Sequence, residues 1–187
     1  MIISFNGDHG SGKSTIAKMI AKKINYPRYY MGQIFRDLAE KEGLNLAEFQ
    51  SLCEKDPSAD KKVDTYLVDL SKKEKDFIVE SRTAWHFIPN SLKIYLKVSE
   101  KEGAKRIFNE IEKSSARSKE DKNLNSIDNI IISERNRKEN NDRRYQKYYG
   151  IKIHNDSNYD FILDTTNLSV EKVFEKTMEF IQSKMNA

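Results

Sequence analysis

Apolar and polar positions follow two alternating patterns along the chain. Short apolar runs that close in polar residues predict β-strands at 1–5, 27–31, 76–80, 91–99 and 159–166. Between them, apolar residues recur three and four positions apart, as at Ile16, Met19, Ile20 and Ile24, which is the period of an amphipathic helix. Strands that alternate with helices indicate an α/β fold, with a five-stranded parallel sheet covered by helices on both faces. The predicted helices are 13–24, 33–43, 45–55, 58–74, 100–113, 127–149 and 169–185.

Three of the helix boundaries carry a local signal. Gly43 is predicted to end the second helix, and Asn45 with Glu48 three residues later has the spacing of a capping box. Pro57 breaks the chain before the helix at 58–74. The segment 114–126 is almost entirely polar and predicts no element. Because no stretch has the composition of a linker, we expect one domain over residues 1–187.

A glycine-rich loop directly after the first strand is the clearest motif. It has Gly7, four intervening residues, and then Gly12, Lys13 and Ser14, followed by an amphipathic helix. In this spacing the backbone N–H groups turn inward around phosphates, the lysine reaches the β- and γ-phosphates, and the serine binds Mg²⁺. The motif predicts a three-layer P-loop fold that binds a nucleoside triphosphate. The residues expected at the triphosphate are Gly7, Asp8, His9, Gly10, Ser11, Gly12, Lys13, Ser14 and Thr15, with His9 contributing as a loop residue.

Arginine residues lie where a second set of phosphates would bind. Arg36 and Arg82 follow predicted strand ends, which is where loops carry function. The sequence contains neither Asn-Lys-x-Asp nor Asp-x-x-Gly, so a guanine-nucleotide switch is excluded. Phosphoryl transfer needs two anions held in line with cations between them, and arginine grips phosphate at two points. The later arginines fit a solvated helix face equally well: Arg106, Arg135, Arg137, Arg143 and Arg144.

Composition and charge limit which binding partners and which cell compartment are expected for this protein. The chain has 187 residues and a net charge of +4, with 33 basic and 29 acidic residues that are interleaved. This pattern argues against a nucleic-acid-binding surface, although a pI near 8.9 keeps an RNA-associated, non-enzymatic protein open as an alternative. The single cysteine, Cys53, and the lack of a long apolar segment predict a cytoplasmic protein without a membrane partner. We expect a monomer.

Several segments resemble the cytidylate kinases, in particular their compact archaeal-type branch. "MGQIFRDLAEKEG" is similar to the family's Gly-Asp-Ile-Phe-Arg segment, and "FIVESRTAW" is similar to a strand ending in Glu-Gly-Arg. "GAKRI" resembles Arg-Ala-x-Arg-Ile. "RKENNDRRY" followed by "YGIKI" resembles Arg-Glu-x-x-Glu-x-x-Arg-Tyr followed by Tyr-Gly-Ile-Asp-Ile. "EKDPSADKKVDTYLVDLSKK" resembles the family's helical lid over the nucleoside monophosphate, and matches it at Asp56, Pro57, Asp60 and Asp64.

The resemblance implies an ATP- and Mg²⁺-dependent kinase for a nucleoside monophosphate, with CMP or dCMP as the expected acceptor. Its small-molecule substrates would be ATP and that acceptor. It implies mobile helical lids at about 45–74 and 113–149, on a core formed by about 1–44, 75–112 and 150–187. Arg106 would lie over the ATP. The implied catalytic residues are Lys13, Arg82, Arg137 and Arg144, and the implied acceptor residues are Arg36, Asp60, Arg82, Arg137 and Asn141.

Departures from the family pattern leave the acceptor open. Asn141 stands where the family has a carboxylate near the acceptor's sugar, Ser81 replaces a glycine and Gly103 replaces an arginine. AMP, UMP or a shikimate-like metabolite are therefore alternative acceptors. Glu80, at the end of a buried strand beside the loop, would either hold Mg²⁺ through water together with Ser14 or pair with a neighbouring lysine, and both readings stay open.

Overall fold

A five-stranded parallel sheet forms the centre of the molecule. The computed structural model describes residues 1–113 and 124–186. All four strand pairs are parallel, and the strand order is β2-β3-β1-β4-β5. This sheet confirms the predicted fold class. The strands are β1 (Ile2–Gly7), β2 (Arg28–Tyr30), β3 (Phe77–Glu80), β4 (Leu92–Lys97) and β5 (Phe161–Asp164).

The helices lie where the apolar period predicts them, with two differences. The helix predicted at 33–43 begins at Met31 instead, because β2 ends at Tyr30 and passes into it with no turn between them. The one-turn helix α5 is missing from the prediction, since four residues are too few to show a helical period. The helices are α1 (Lys13–Ile24), α2 (Met31–Lys41), α3 (Leu46–Cys53), α4 (Ser58–Lys73), α5 (Ala84–Phe87), α6 (Glu100–Lys113), α7 (Ile127–Tyr149) and α8 (Val170–Met185).

Helices cover both faces of the sheet, as predicted. Successive strand residues point to opposite faces, so Ile78 packs with α1 and α8 while Phe77 and Val79 pack with α2, α4 and α5. Ile3 and Phe5 of the central strand are fully buried on the first face. The two apolar layers fix the strand ends, and with them the loops that carry the predicted site.

Helix α7 crosses from one side of the molecule to the other. Near its start, Ile130 is buried against Ala104 and Ile107 of α6. Near its end, Asn140 donates to Glu54 and Tyr148 donates to the Glu54 carbonyl, just after α3. Its middle therefore lies above the loops that follow β1 and β3.

Two sequence signals outside the core can be compared with the structure. The capping box is confirmed, because Asn45 accepts from the Glu48 N–H and Glu48 accepts from the Asn45 N–H. Of the polar segment 114–126, residues 114–123 lie outside the described residues, and Ser126 caps the start of α7. Within the described ranges, no helix combines the length and apolarity needed to cross a bilayer.

Candidate active site

The loop between β1 and α1 needs glycine at several points. Gly10 and Gly12 have φ angles of +76° and +82°, a region that glycine adopts without strain. A Cβ on Gly7 would lie 2.4 Å from the carbonyl oxygen of Leu96 in β4. The loop is thus folded back tightly against the neighbouring strand, as the spacing predicts.

Helix α6 packs against the same loop where Gly103 of the helix meets Gly10 of the loop. A Cβ on Gly10 would lie 2.4 Å from the Gly103 carbonyl oxygen, and a Cβ on Gly103 would lie 2.7 Å from the His9 carbonyl oxygen. This close backbone approach is the physical reason for Gly103, the position where the family pattern has arginine. An arginine there would require the loop and α6 to separate.

Asp8 anchors the loop with its side chain. Its carboxylate accepts from the Tyr95 hydroxyl at 2.8 Å and from the Val98 N–H at 3.1 Å. Both partners belong to β4 or the residue that follows it. Asp8 therefore ties the loop to the sheet, which its position in the motif alone does not reveal.

Ser14 and Glu80 meet at the carboxyl edge of the sheet. The Ser14 hydroxyl donates to Glu80 Oε2 at 2.5 Å, and the Arg28 Nε donates to Glu80 Oε1 at 2.6 Å. Glu80 is only 2% exposed. Its ionic partner is thus an arginine rather than the predicted lysine, and the carboxylate also lies beside the serine expected to bind Mg²⁺. Its contact with the metal stays a prediction.

Arg106 lies on the α6 side of the loop. It donates to Glu102 at 2.9 Å, to the Thr165 carbonyl at 2.8 Å and to the Thr166 carbonyl at 3.2 Å. It shares an open cavity with the loop residues 10–15 and with Leu168. This placement fits the predicted position beside a triphosphate bound to the loop.

The acceptor-side residues come together although they are far apart in sequence. Arg36, Asp60, Arg82, Arg137 and Arg144 line one cavity with Lys13 and Ser14. Elements α2, α4 and α7 and the loop after β3 supply them. The same wall includes Tyr30, whose hydroxyl accepts from both terminal nitrogens of Arg36 at 3.0 and 3.1 Å.

Arg82 is held by two acceptors. One terminal nitrogen donates to Asn141 Oδ1 at 2.8 Å, and the other donates to His9 Nε2 at 2.7 Å. Burial, with the nearby charge of Arg137, lowers the pKa of the Arg82 guanidinium to about 10. At neutral pH Arg82 still carries its positive charge.

Arg144 is placed differently. It is 1% exposed, and its Nε lies 2.7 Å from Asp60 Oδ2 in a buried ion pair. It also donates to Asn140 at 3.1 Å and to Asn141 at 3.3 Å. In this arrangement Asp60 holds Arg144, and the contact of either residue with a substrate stays a prediction. Arg137 donates to Glu134 at 3.0 Å on the same helix.

Four residues of the site make side-chain contacts that the sequence does not predict. Tyr30 supports Arg36, Glu134 binds both Arg137 and His9, and the imidazole of His9, beyond its main chain, faces Arg82. Asp64 accepts from Thr83 at 2.6 Å and from Tyr149 at 2.7 Å, and burial raises its pKa to about 6. Of these, His9 is predicted as a loop residue, and Asp64 is matched to the family's lid segment.

Known proteins include a family and several relatives that this chain resembles in sequence. Residues 3–129 match the family model described as an AAA domain. A cytidylate kinase of Pyrobaculum neutrophilum is 35% identical over 183 residues, which cover 97% of this chain and 92% of that protein. An S-adenosylmethionine-dependent nucleotide dehydratase of Lacinutrix mariniflava is 34% identical over 99% of this chain, but only over 36% of its own length.

The fold is also found among solved structures. Shikimate kinase from Acinetobacter baumannii in complex with shikimate has a TM-score of 0.59 and 14% identity, and the match covers 98% of this chain and 93% of that one. At this identity the likeness concerns the fold alone. The sequence matches to archaeal cytidylate kinases, together with the glycine loop and the arginine-lined cavity, show that the chain belongs to the cytidylate kinase family of P-loop kinases.

Proposed function

We propose that this protein transfers the γ-phosphoryl group of MgATP to the phosphate of CMP or dCMP. The observation that carries the proposal is the shared cavity, in which the acceptor-side arginines Arg36, Arg82 and Arg137 face the same space as Lys13 and Ser14. Two anions that bind at these two groups of cations would be brought next to each other. That juxtaposition is the main requirement of phosphoryl transfer.

In the proposed mechanism, the chain positions and neutralises two phosphates. Lys13 binds the terminal phosphates of ATP, Arg36 and Arg82 bind the acceptor's phosphate, and Arg137 reaches the group in transfer. An acceptor phosphate is already anionic, so no general base is required. Ser14 directly, and Glu80 through water, would hold Mg²⁺, which screens the charge of the phosphates. The Ser14 hydroxyl oxygen and Glu80 Oε2 lie 2.5 Å apart, and hydroxyl and carboxylate oxygens are the kind of ligand that a hard cation prefers.

The identity of the acceptor is supported by the sequence relatives. Those that match over nearly their whole length are named cytidylate kinases. The Lacinutrix relative, in which the matching region is joined to a longer chain, is named for a reaction on nucleotides. Both names favour a nucleotide acceptor over shikimate, whose kinases resemble this chain in fold alone.

A substrate panel tests the acceptor. ADP release from MgATP is measured with CMP, dCMP, UMP, AMP, GMP and shikimate. Fast turnover with CMP or dCMP supports the full proposal. Preference for another monophosphate retains the mechanism and overturns the acceptor, and no turnover with any of them overturns the function.

The role of the loop is tested by Lys13→Ala. Removing a cation from the developing charge costs about 100-fold or more in kcat. We expect that loss together with an unchanged circular dichroism spectrum. Lys18→Ala, an exposed residue on the same helix, is the matched control and retains activity. Near-normal turnover by Lys13→Ala would show that the loop is not the triphosphate site.

A further inference from the structure

His9 connects the glycine loop to two other elements through its imidazole. Its Nε2 lies 2.7 Å from a terminal nitrogen of Arg82, after β3, and its Nδ1 pairs with Glu134 of α7. The imidazole is partly buried between them. A loop residue that would otherwise supply only main-chain groups thus joins the acceptor arginine to the long helix.

The chemistry of the three groups assigns their protons. A guanidinium can only donate, so His9 Nε2 accepts the hydrogen bond from Arg82 and carries no proton. The remaining ring proton is then on Nδ1, the nitrogen that pairs with the Glu134 carboxylate. His9 is therefore neutral in this arrangement, and Glu134 fixes which nitrogen faces Arg82.

A second contact of Arg82 leads to the same helix. Its other terminal nitrogen donates to Asn141, two turns after Glu134 on α7. Neither of these two hydrogen-bond partners is a carboxylate, so they fix the orientation of Arg82 without forming an ion pair with it. That is a suitable state for binding a phosphate.

We propose that His9 is a positioning residue that makes the orientation of Arg82 depend on the seating of α7. When α7 lies over the loop, Glu134 holds the imidazole and Asn141 holds the guanidinium from the other side. When α7 moves away, Arg82 loses Asn141, and the His9 ring loses the partner that sets its tautomer. This inference rests on the proposed function, because it assigns Arg82 to the acceptor's phosphate.

Three substitutions at His9 separate its two nitrogen atoms. His9→Gln places an acceptor at the distance of Nε2 and lacks the donor at Nδ1. His9→Asn places a donor at the distance of Nδ1 and has no acceptor at the distance of Nε2. His9→Ala removes both. For each variant, KM is measured for MgATP and for CMP, or for whichever monophosphate the panel selects, and the affinity for that monophosphate is measured by calorimetry without ATP.

We expect His9→Ala to weaken acceptor binding about tenfold, the cost of losing one hydrogen bond to a charged group. KM for ATP changes less than twofold. His9→Gln restores most of the acceptor affinity, and His9→Asn does not.

Two results would overturn the inference. One is an equal loss for ATP and acceptor, which would mean a general distortion of the loop. The other is equal behaviour of the Gln and Asn variants. His86→Ala, an exposed histidine on α5, is the matched control. If the unaltered protein turns over no acceptor and binds none, the proposed function fails; if it does and His9→Ala is unchanged, only the role of His9 fails.

Discussion

Arginine side chains in the cavity differ in the charge of their partners. Arg144 is paired with the buried carboxylate of Asp60, whereas the side-chain hydrogen bonds of Arg82 within the described residues go to the neutral groups of His9 and Asn141. Displacing a buried ion pair leaves an uncompensated carboxylate, at a cost of about 3–5 kcal/mol. We therefore propose that Arg144 first holds α4 against α7, and that Arg82 is the arginine that contacts the substrate.

Asp64 gives the protein a pH-dependent stability. Burial raises its pKa from 3.8 to about 6, so the native state keeps this proton at a pH where the unfolded chain has lost it. The stability from this group is present below about pH 4 and is lost as the pH rises to about 6. Asp64→Asn should therefore gain about 2 kcal/mol relative to the unaltered protein between pH 4.5 and 7.5.

Urea denaturation at the two pH values measures this difference in the free energy of unfolding. Asp69→Asn, an exposed acid on the same helix, is the control and should follow the unaltered protein at both. Parallel pH profiles for Asp64→Asn and the unaltered protein would mean that Asp64 is ionised normally in the native state.

At the scale of single residues, the glycine-loop motif is easier to predict from the sequence than the side-chain contacts that orient the residues around it. Gly12, Lys13 and Ser14 are recognisable because the loop is local and its spacing is fixed by the phosphates. Arg82 and Asn141 are 59 residues apart, and only the fold brings them within 2.8 Å. The contacts of the His9 imidazole could not be predicted from the motif, since its partners lie in the loop after β3 and on α7.

Helix α7 contacts three separate parts of the molecule. Its first turns pack on α6, its middle contacts the glycine loop, and its last turns contact the end of α3. The sequence predicts its bounds at 127–149, and the structure has the same bounds. Its neighbours are not predicted, because they depend on the strand order. That it moves as a lid stays a prediction.

The side chain of Glu54 holds two residues near the end of α7. It accepts from Asn140 at 2.6 Å and from Arg143 at 2.7 Å. Glu54→Ala should remove about 1 kcal/mol of local stabilisation, because Asn140 is buried and the Arg143 pair is exposed. We expect amide hydrogen exchange at 140–149 to become about fivefold faster, with little change at 127–135.

Glu42→Ala, an exposed glutamate just after α2, is the matched control for this experiment. An equal acceleration along the whole of α7 would contradict a local anchor and show that the helix opens as one unit.

At the scale of the whole molecule, the parallel sheet follows from strand and helix patterns, but the order of its strands does not. Placing β1 between β3 and β4 puts the glycine loop between the loops that carry Arg82 and Val98. The apolar runs at 76–80 and 91–99 are similar, so nothing local says on which side of β1 each strand lies. The site is a consequence of that order.

The chain has one tryptophan, Trp85 on α5, which packs against the cluster of Tyr145, Ile151 and Ile153 at and just after the end of α7. The molecule therefore carries a native optical label at the place where its longest helix ends. Movement of that end changes the surroundings of the indole, so we expect ATP analogue and CMP together to alter its emission more than either alone. Stopped-flow fluorescence would time closure without any attached dye, and an unchanged spectrum would show that this end of α7 stays still.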